Sequence, residues 1–102
     1  MNLYKLSILP TFENDLNLIV DYISIQLKSP NSALKLVDEV YSAIYDRLHY
    51  PLSFQPFLSQ KKRKNPYYVI RVRNYSIFYV VIDSTMEVRR IIYSKRNIDQ
   101  LI

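Results

Sequence analysis

The apolar repeat of this chain changes once, from steps of three and four before about residue 50 to steps of two after residue 66, so any fold must satisfy two different periods. In the first part, Phe12, Leu16, Ile19, Val20, Ile23 and Leu27 fall on one stripe of a helix ending near Lys28. Thr11 offers its N-cap. Ser29 followed by Pro30 opens a second helix, with proline at the first helical position, where its missing N–H costs least. Ala33, Val37, Val40, Tyr41, Ile44 and Leu48 form its apolar set, and Pro51 ends it. A connection this short predicts an antiparallel helical hairpin. In the second part, residues 67–73, 75–82 and 86–93 are rich in β-branched and aromatic residues and are separated by Asn74 and by Asp83-Ser84-Thr85, which predicts an antiparallel meander. Residues 3–9, stopped by Pro10, read as one more strand. The expected fold class is α+β: an N-terminal strand and a helical hairpin packed on a mostly antiparallel four-stranded sheet, one domain over residues 1–102. The shared core is expected to hold Leu16, Ile19, Ile23, Val37, Val40, Ile44, Phe78 and Val80.

Glycine is absent, so the corners must use Asn, Asp, Ser and Pro: Ser29-Pro30-Asn31, Pro51, Asn65-Pro66, Asn74 and Asp83-Ser84. Glycine-rich phosphate loops and the dinucleotide fingerprint are excluded with it, as is the nucleophile elbow of acyl-transfer hydrolases. There is no cysteine, which removes disulfides, thiolate metal sites and thiol catalysis and suits a reducing cytoplasm. The single histidine, His49, falls where the second helix ends, a position at which the helix dipole favours an imidazolium. No Asp/Glu spacing resembles a ligand set, so neither a metal nor another cofactor is expected. The longest apolar run, Ile77 to Ile82, has six residues, against the about 20 a membrane-crossing helix needs, and no signal-peptide pattern opens the chain.

Charge divides with the periodicity. Residues 1–50 carry four Lys/Arg and six Asp/Glu, whereas residues 51–102 carry ten and three, giving the net +5 of the chain. The run Lys61-Lys62-Arg63-Lys64 reads either as a solvated loop or as a phosphate-contacting one. Arg71, Arg73, Arg89, Arg90 and Arg96 lie in or beside the strands with Tyr67, Tyr68, Tyr75, Tyr79 and Tyr93 among them. A sheet face mixing guanidinium groups with rings fits a polyanion or an acidic protein. The plainer alternative pairs those arginines across strands with Glu87 or Asp99.

In order of elements the chain resembles the RelE/ParE superfamily of toxins from type II toxin–antitoxin systems. The resemblance rests on Tyr4, on Asp15-Leu16 and Asp21-Tyr22-Ile23 in the first helix, and on Pro30, Ala33, Leu48 and Pro51 around the second. Its strongest segments are Asn74-Tyr75-Ser76-Ile77-Phe78-Tyr79, Val88-Arg89-Arg90-Ile91-Ile92-Tyr93 and Lys95-Arg96-Asn97.

The resemblance implies a small toxin of a plasmid-stabilisation type, held inactive by an acidic antitoxin encoded beside it. It also implies one of two targets: RelE-like members cleave mRNA on the ribosome, and ParE-like members inhibit DNA gyrase. Ribonucleases of the superfamily commonly carry arginine where this chain has Ser76, and some carry histidine where it has Tyr93. The long hairpin is similar to the ParE branch. The expectation is therefore a growth-inhibiting toxin acting on gyrase, with a ribosome-dependent mRNA endonuclease as the alternative and a non-toxic nucleic-acid-binding module as a second one. Arg96 and Tyr93 are the candidate catalytic pair. Lys61, Lys62, Arg63, Lys64, Arg71 and Arg73 are candidate target- or phosphate-binding residues, and Arg71, Arg73 and Arg89 candidate antitoxin contacts.

Overall fold

The computed structural model describes residues 3–58 and 61–102. Strand β1 (Lys5–Ile8) leads into helix α1 (Pro10–Asp21), which ends in a single π turn (Tyr22–Gln26) before helix α2 (Pro30–Arg47). Strands β2 (Tyr68–Val72), β3 (Tyr75–Ile82) and β4 (Thr85–Tyr93) follow, and helix α3 (Ile98–Leu101) is one short turn. The sheet order is β1-β4-β3-β2, with β1 parallel to β4 and the remaining neighbours antiparallel.

Proline decides both helix starts. Pro10 occupies the first turn of α1 with Leu9 at the N-cap, so Thr11 lies inside the helix and is not its cap. A φ fixed near the helical value and no N–H to leave unpaired make proline the better starter. Pro30 does the same for α2, where Ser29 at the cap hydrogen-bonds the Ser32 hydroxyl at 2.7 Å. Phe12 of α1 meets Tyr41 of α2 edge to face, with ring centroids 6.3 Å apart, as an antiparallel pairing requires.

The hairpin packs on one sheet face, burying Phe12, Leu16, Ile23, Ala33, Leu36, Val40 and Ile44 against Ile70, Val72, Ile77, Tyr79, Met86, Val88 and Ile91. Leu16, Ile23, Val40 and Ile44 are in the expected core, and Ile19 is partly buried at its margin. Val37 is only half-buried, because Leu36 takes the inward position of that turn. Phe78 and Val80 are fully buried but belong to a second cluster on the opposite sheet face, with Tyr67 and Ile92. Successive residues of a strand point to opposite faces, so two members of the alternating set of β3 cannot share a core with Ile77 and Tyr79. Phe57 and the α3 residues Ile98 and Leu101, with Ile102, pack against this second cluster. The central strand β3 is thus covered on both sides, as its continuous apolar run implies.

In the absence of glycine, three residues take positive φ: Lys28 (51°) after the π turn, Arg73 (52°) between β2 and β3, and Asp83 (54°) between β3 and β4. Two of the three are basic residues outside the Asn/Asp/Ser/Pro set expected at corners. Each hairpin puts its left-handed residue first, ahead of Asn74 or Ser84.

Candidate functional site

Two features of the surface are chemically distinctive, and they lie on opposite sides of the sheet. On the hairpin side, a groove of about 730 Å³ opens between the end of α1 and the ends of β3 and β4. Leu18, Ile19, Tyr22 and Leu27 form its helical wall, and Asn74, Tyr75, Tyr93 and Arg96 its sheet wall. Tyr75 and Tyr93 face each other across strands, ring centroids 6.0 Å apart. Burial, with Tyr22 and Tyr93 adding to it, pushes the Tyr75 phenol above the usual tyrosine range despite Arg73 nearby, so it stays protonated at neutral pH. A smaller recess of about 140 Å³ adjoins the groove, floored by Asp15 and Arg90.

Asp15 fixes that floor. Its carboxylate accepts from Arg90 Nε at 2.7 Å and Nη2 at 3.1 Å, and from the Ile91 N–H at 3.1 Å. Arg90 Nη1 also donates to the Leu101 carbonyl at 2.8 Å. One guanidinium thereby ties α1, β4 and α3 together. The hydrogen bonds it donates to Asp15 hold the Arg90 charge more firmly than usual, against the opposing effect of burial. A register shift makes this possible: Phe78 pairs with Arg90 and Tyr79 with Val88, so Arg89 is the extra residue of a β-bulge. The bulge re-aims two consecutive arginines.

On the opposite face runs a polar row. Arg71 Nη1 donates to Ser76 Oγ at 3.1 Å, and the Ser76 and Ser94 hydroxyls lie 2.7 Å apart. Ser76 is fully buried while Arg71 is exposed. Position 76, which lacks its own cation, is therefore reached by one from the neighbouring strand. Arg89 is on this side as well, bound to Glu87 at 2.7 Å and 5.8 Å from the Tyr67 ring centroid. Burial works against its charge, and hydrogen bonds to Tyr67 and Glu87 outweigh that.

The residues expected to act together do not share one surface. Tyr93 and Arg96 line the groove. Arg73, at the turn, pairs with Glu39 of α2, Nε to Oε1 at 3.2 Å. Lys61 and Arg63 reach the Ile102 carbonyl at 3.2 and 2.9 Å, and Arg63 stacks 4.9 Å above the Tyr67 ring. Lys62 and Lys64 are exposed. The single arginine-and-tyrosine sheet face is thus replaced by two, because Tyr68 and Tyr79 belong to the hairpin-side core, Tyr75 packs against it, and Tyr67 lies opposite. Of the pairing partners expected for the arginines, Glu87 holds Arg89, but within one strand; Arg90 and Arg73 find theirs on the helices.

Sequence reasoning passed over Arg47, a residue of α2 that organises the following loop. Its Nη1 donates to the Tyr79 hydroxyl at 2.9 Å and to the Val69 carbonyl of edge strand β2 at 3.2 Å, and its guanidinium covers the Phe54 ring at 3.6 Å. Tyr79 in turn donates to the Pro51 carbonyl at 2.6 Å. No helix among the described residues is long and apolar enough to cross a membrane. Among them no group of three or more His, Asp or Glu is placed to hold a metal ion.

With this geometry in view, the family model described as the ParE toxin of type II toxin–antitoxin system, parDE, matches residues 6–98. The chain belongs to that family. A solved structure of the chromosomal ParDE toxin–antitoxin system from P. aeruginosa superimposes with a TM-score of 0.75 at 17% sequence identity, covering 93% of this chain and all of that one. At that identity the match carries the fold. No curated protein matches the sequence. Membership makes the chain a toxin of a ParDE-type pair, with an antitoxin as its partner.

Proposed function

We propose that this ParE-family toxin inhibits growth by acting on DNA gyrase and does not cleave mRNA. The observation that carries this reading is the separation of Tyr93 and Arg96 from the polar row. Those two residues stand in a largely apolar groove with Leu18, Tyr22 and Leu27, while Arg71, Ser76 and Ser94 occupy the other sheet face. Cleavage through the RNA 2′-hydroxyl needs a base, cationic stabilisation of the phosphorane and an acid within one substrate-sized space. The polar row offers a guanidinium and two hydroxyls, none of which takes up a proton near neutral pH. The groove offers one guanidinium and phenols, of which Tyr75 is held protonated. Either surface suits binding better than proton transfer.

A nuclease reading has one observation in its favour, the placement of Arg71 beside Ser76. Primer extension on total mRNA after induction separates the two readings. The gyrase reading predicts growth arrest without new ends inside translated codons, and Arg71→Ala leaves the RNA pattern unchanged. Codon-linked ends that disappear in Arg71→Ala or Arg96→Ala establish the nuclease instead.

A further inference from the structure

The groove owes its helical wall to the π turn. Were α1 to continue with α-helical spacing, Leu27 would follow Ile23 on the stripe that faces the sheet. Instead the Leu27 N–H reaches back five residues to the Tyr22 carbonyl at 3.1 Å, and the Ser29 N–H six residues to the Ile23 carbonyl at 3.0 Å. The widened turn keeps Ile23 buried at 8% exposure and leaves Leu27 outside at 56%. Lys28 then closes it at φ 51°, a conformation costly for any residue but glycine. A left-handed residue is an ordinary way to end a helix, but the wide turn before it leaves a leucine exposed. Isolated π turns of this kind recur at functional sites. Leu18, at 70% exposure, and Tyr22, at 54%, continue the same apolar surface along α1.

We infer that the π turn is a docking device that turns Leu27 outward to complete, with Leu18, Tyr22 and Tyr93, a slot for a large apolar side chain on an acidic segment of the antitoxin. The charges around the slot identify the occupant. Arg96 stands at its rim, and its side chain has no hydrogen-bond or ion-pair partner among the described residues. The carboxylate of the adjoining recess, Asp15, is already bound to Arg90. A segment with one apolar anchor beside acidic residues meets both requirements. The assignment rests on the family's antitoxin partnership and is independent of whether the target is gyrase.

The test measures the affinity of the purified chain for the acidic protein encoded beside it, by calorimetry at two salt concentrations. Leu27→Asp and Arg96→Glu are each expected to weaken binding by about tenfold or more, and the Arg96→Glu loss shrinks at high salt. Leu34→Asp, changing a leucine at 65% exposure on α2 away from the groove, leaves affinity unchanged. Deleting Ser24 removes the extra residue of the π turn, returns Leu27 to the buried stripe and weakens binding as Leu27→Asp does, with the circular dichroism spectrum retained. Should the deletion prevent folding, Leu27→Asp decides alone. Wild-type affinity in Leu27→Asp and Arg96→Glu overturns the proposal, as does equal weakening by Leu34→Asp. Retained antitoxin binding in Leu27→Asp with lost growth inhibition also overturns it, because the slot then serves the target.

Discussion

Asp15 and Tyr79 are residues through which two or three polar contacts tie separate elements together. The Asp15 carboxylate takes three hydrogen bonds from β4, and its partner Arg90 lies 75 positions away. Removing one member of a largely buried pair strands the other, so Asp15→Ala is expected to lower stability by about 3 kcal/mol in chemical denaturation, with a smaller loss in Asp15→Asn. Tyr79 is fully buried, and that burial raises its phenol above the ordinary value of 10.0, only partly offset by Arg47. Burial raises Tyr41 and Tyr75 in the same direction. A raised value means that the folded state holds the proton more tightly than the unfolded chain, so this contribution is complete below pH 10.0 and is lost as pH rises through the folded values. Thermal melts are expected to shift downward on the alkaline side of pH 10.0, with the phenolate absorbance of the fully buried Tyr79 appearing together with unfolding. A midpoint independent of alkaline pH would contradict this. Asp15 stands among the residues of the family resemblance, but nothing in its local sequence names Arg90 as its partner. Long-range pairs leave no trace in periodicity.

Among the elements, the link between α1 and α2 carries the clearest strain. Lys28 holds φ 51° with a side chain that disfavours it, so Lys28→Gly is expected to raise stability by about 1 kcal/mol, read from the denaturation midpoint at unchanged slope. Lys28→Val, β-branched at the same position, is expected to lower it. β3 was legible to its ends, and β2 and β4 to within one residue, because their alternation and the Asn74 and Asp83-Ser84 corners are local signals. The extent of α1 was legible in outline only. The stripe through Leu27 assumes constant α-helical spacing, and a π turn breaks that assumption without any residue that announces it. The second cluster under Phe78 was hidden for another reason: the run over β3 implies cover on both faces, but α3 is too short to show a period.

At the scale of the molecule, the basic half of the chain does not make one basic surface. Its arginines are distributed by the bulge in β4 and by helix partners into structural clamps at Arg90 and Arg73, a polar row at Arg71, and a groove rim at Arg96. Net charge speaks to solubility and to the sign of partners, and the placement of each cation decides what it can do. Cations dispersed in this way suit a toxin that works by binding. The most direct test is ATP-dependent supercoiling by purified DNA gyrase, with the purified toxin added and no ribosomes present. Supercoiling is expected to slow with increasing toxin and to recover when the antitoxin is added. Undiminished supercoiling at a large molar excess of a toxin that still arrests growth would contradict it.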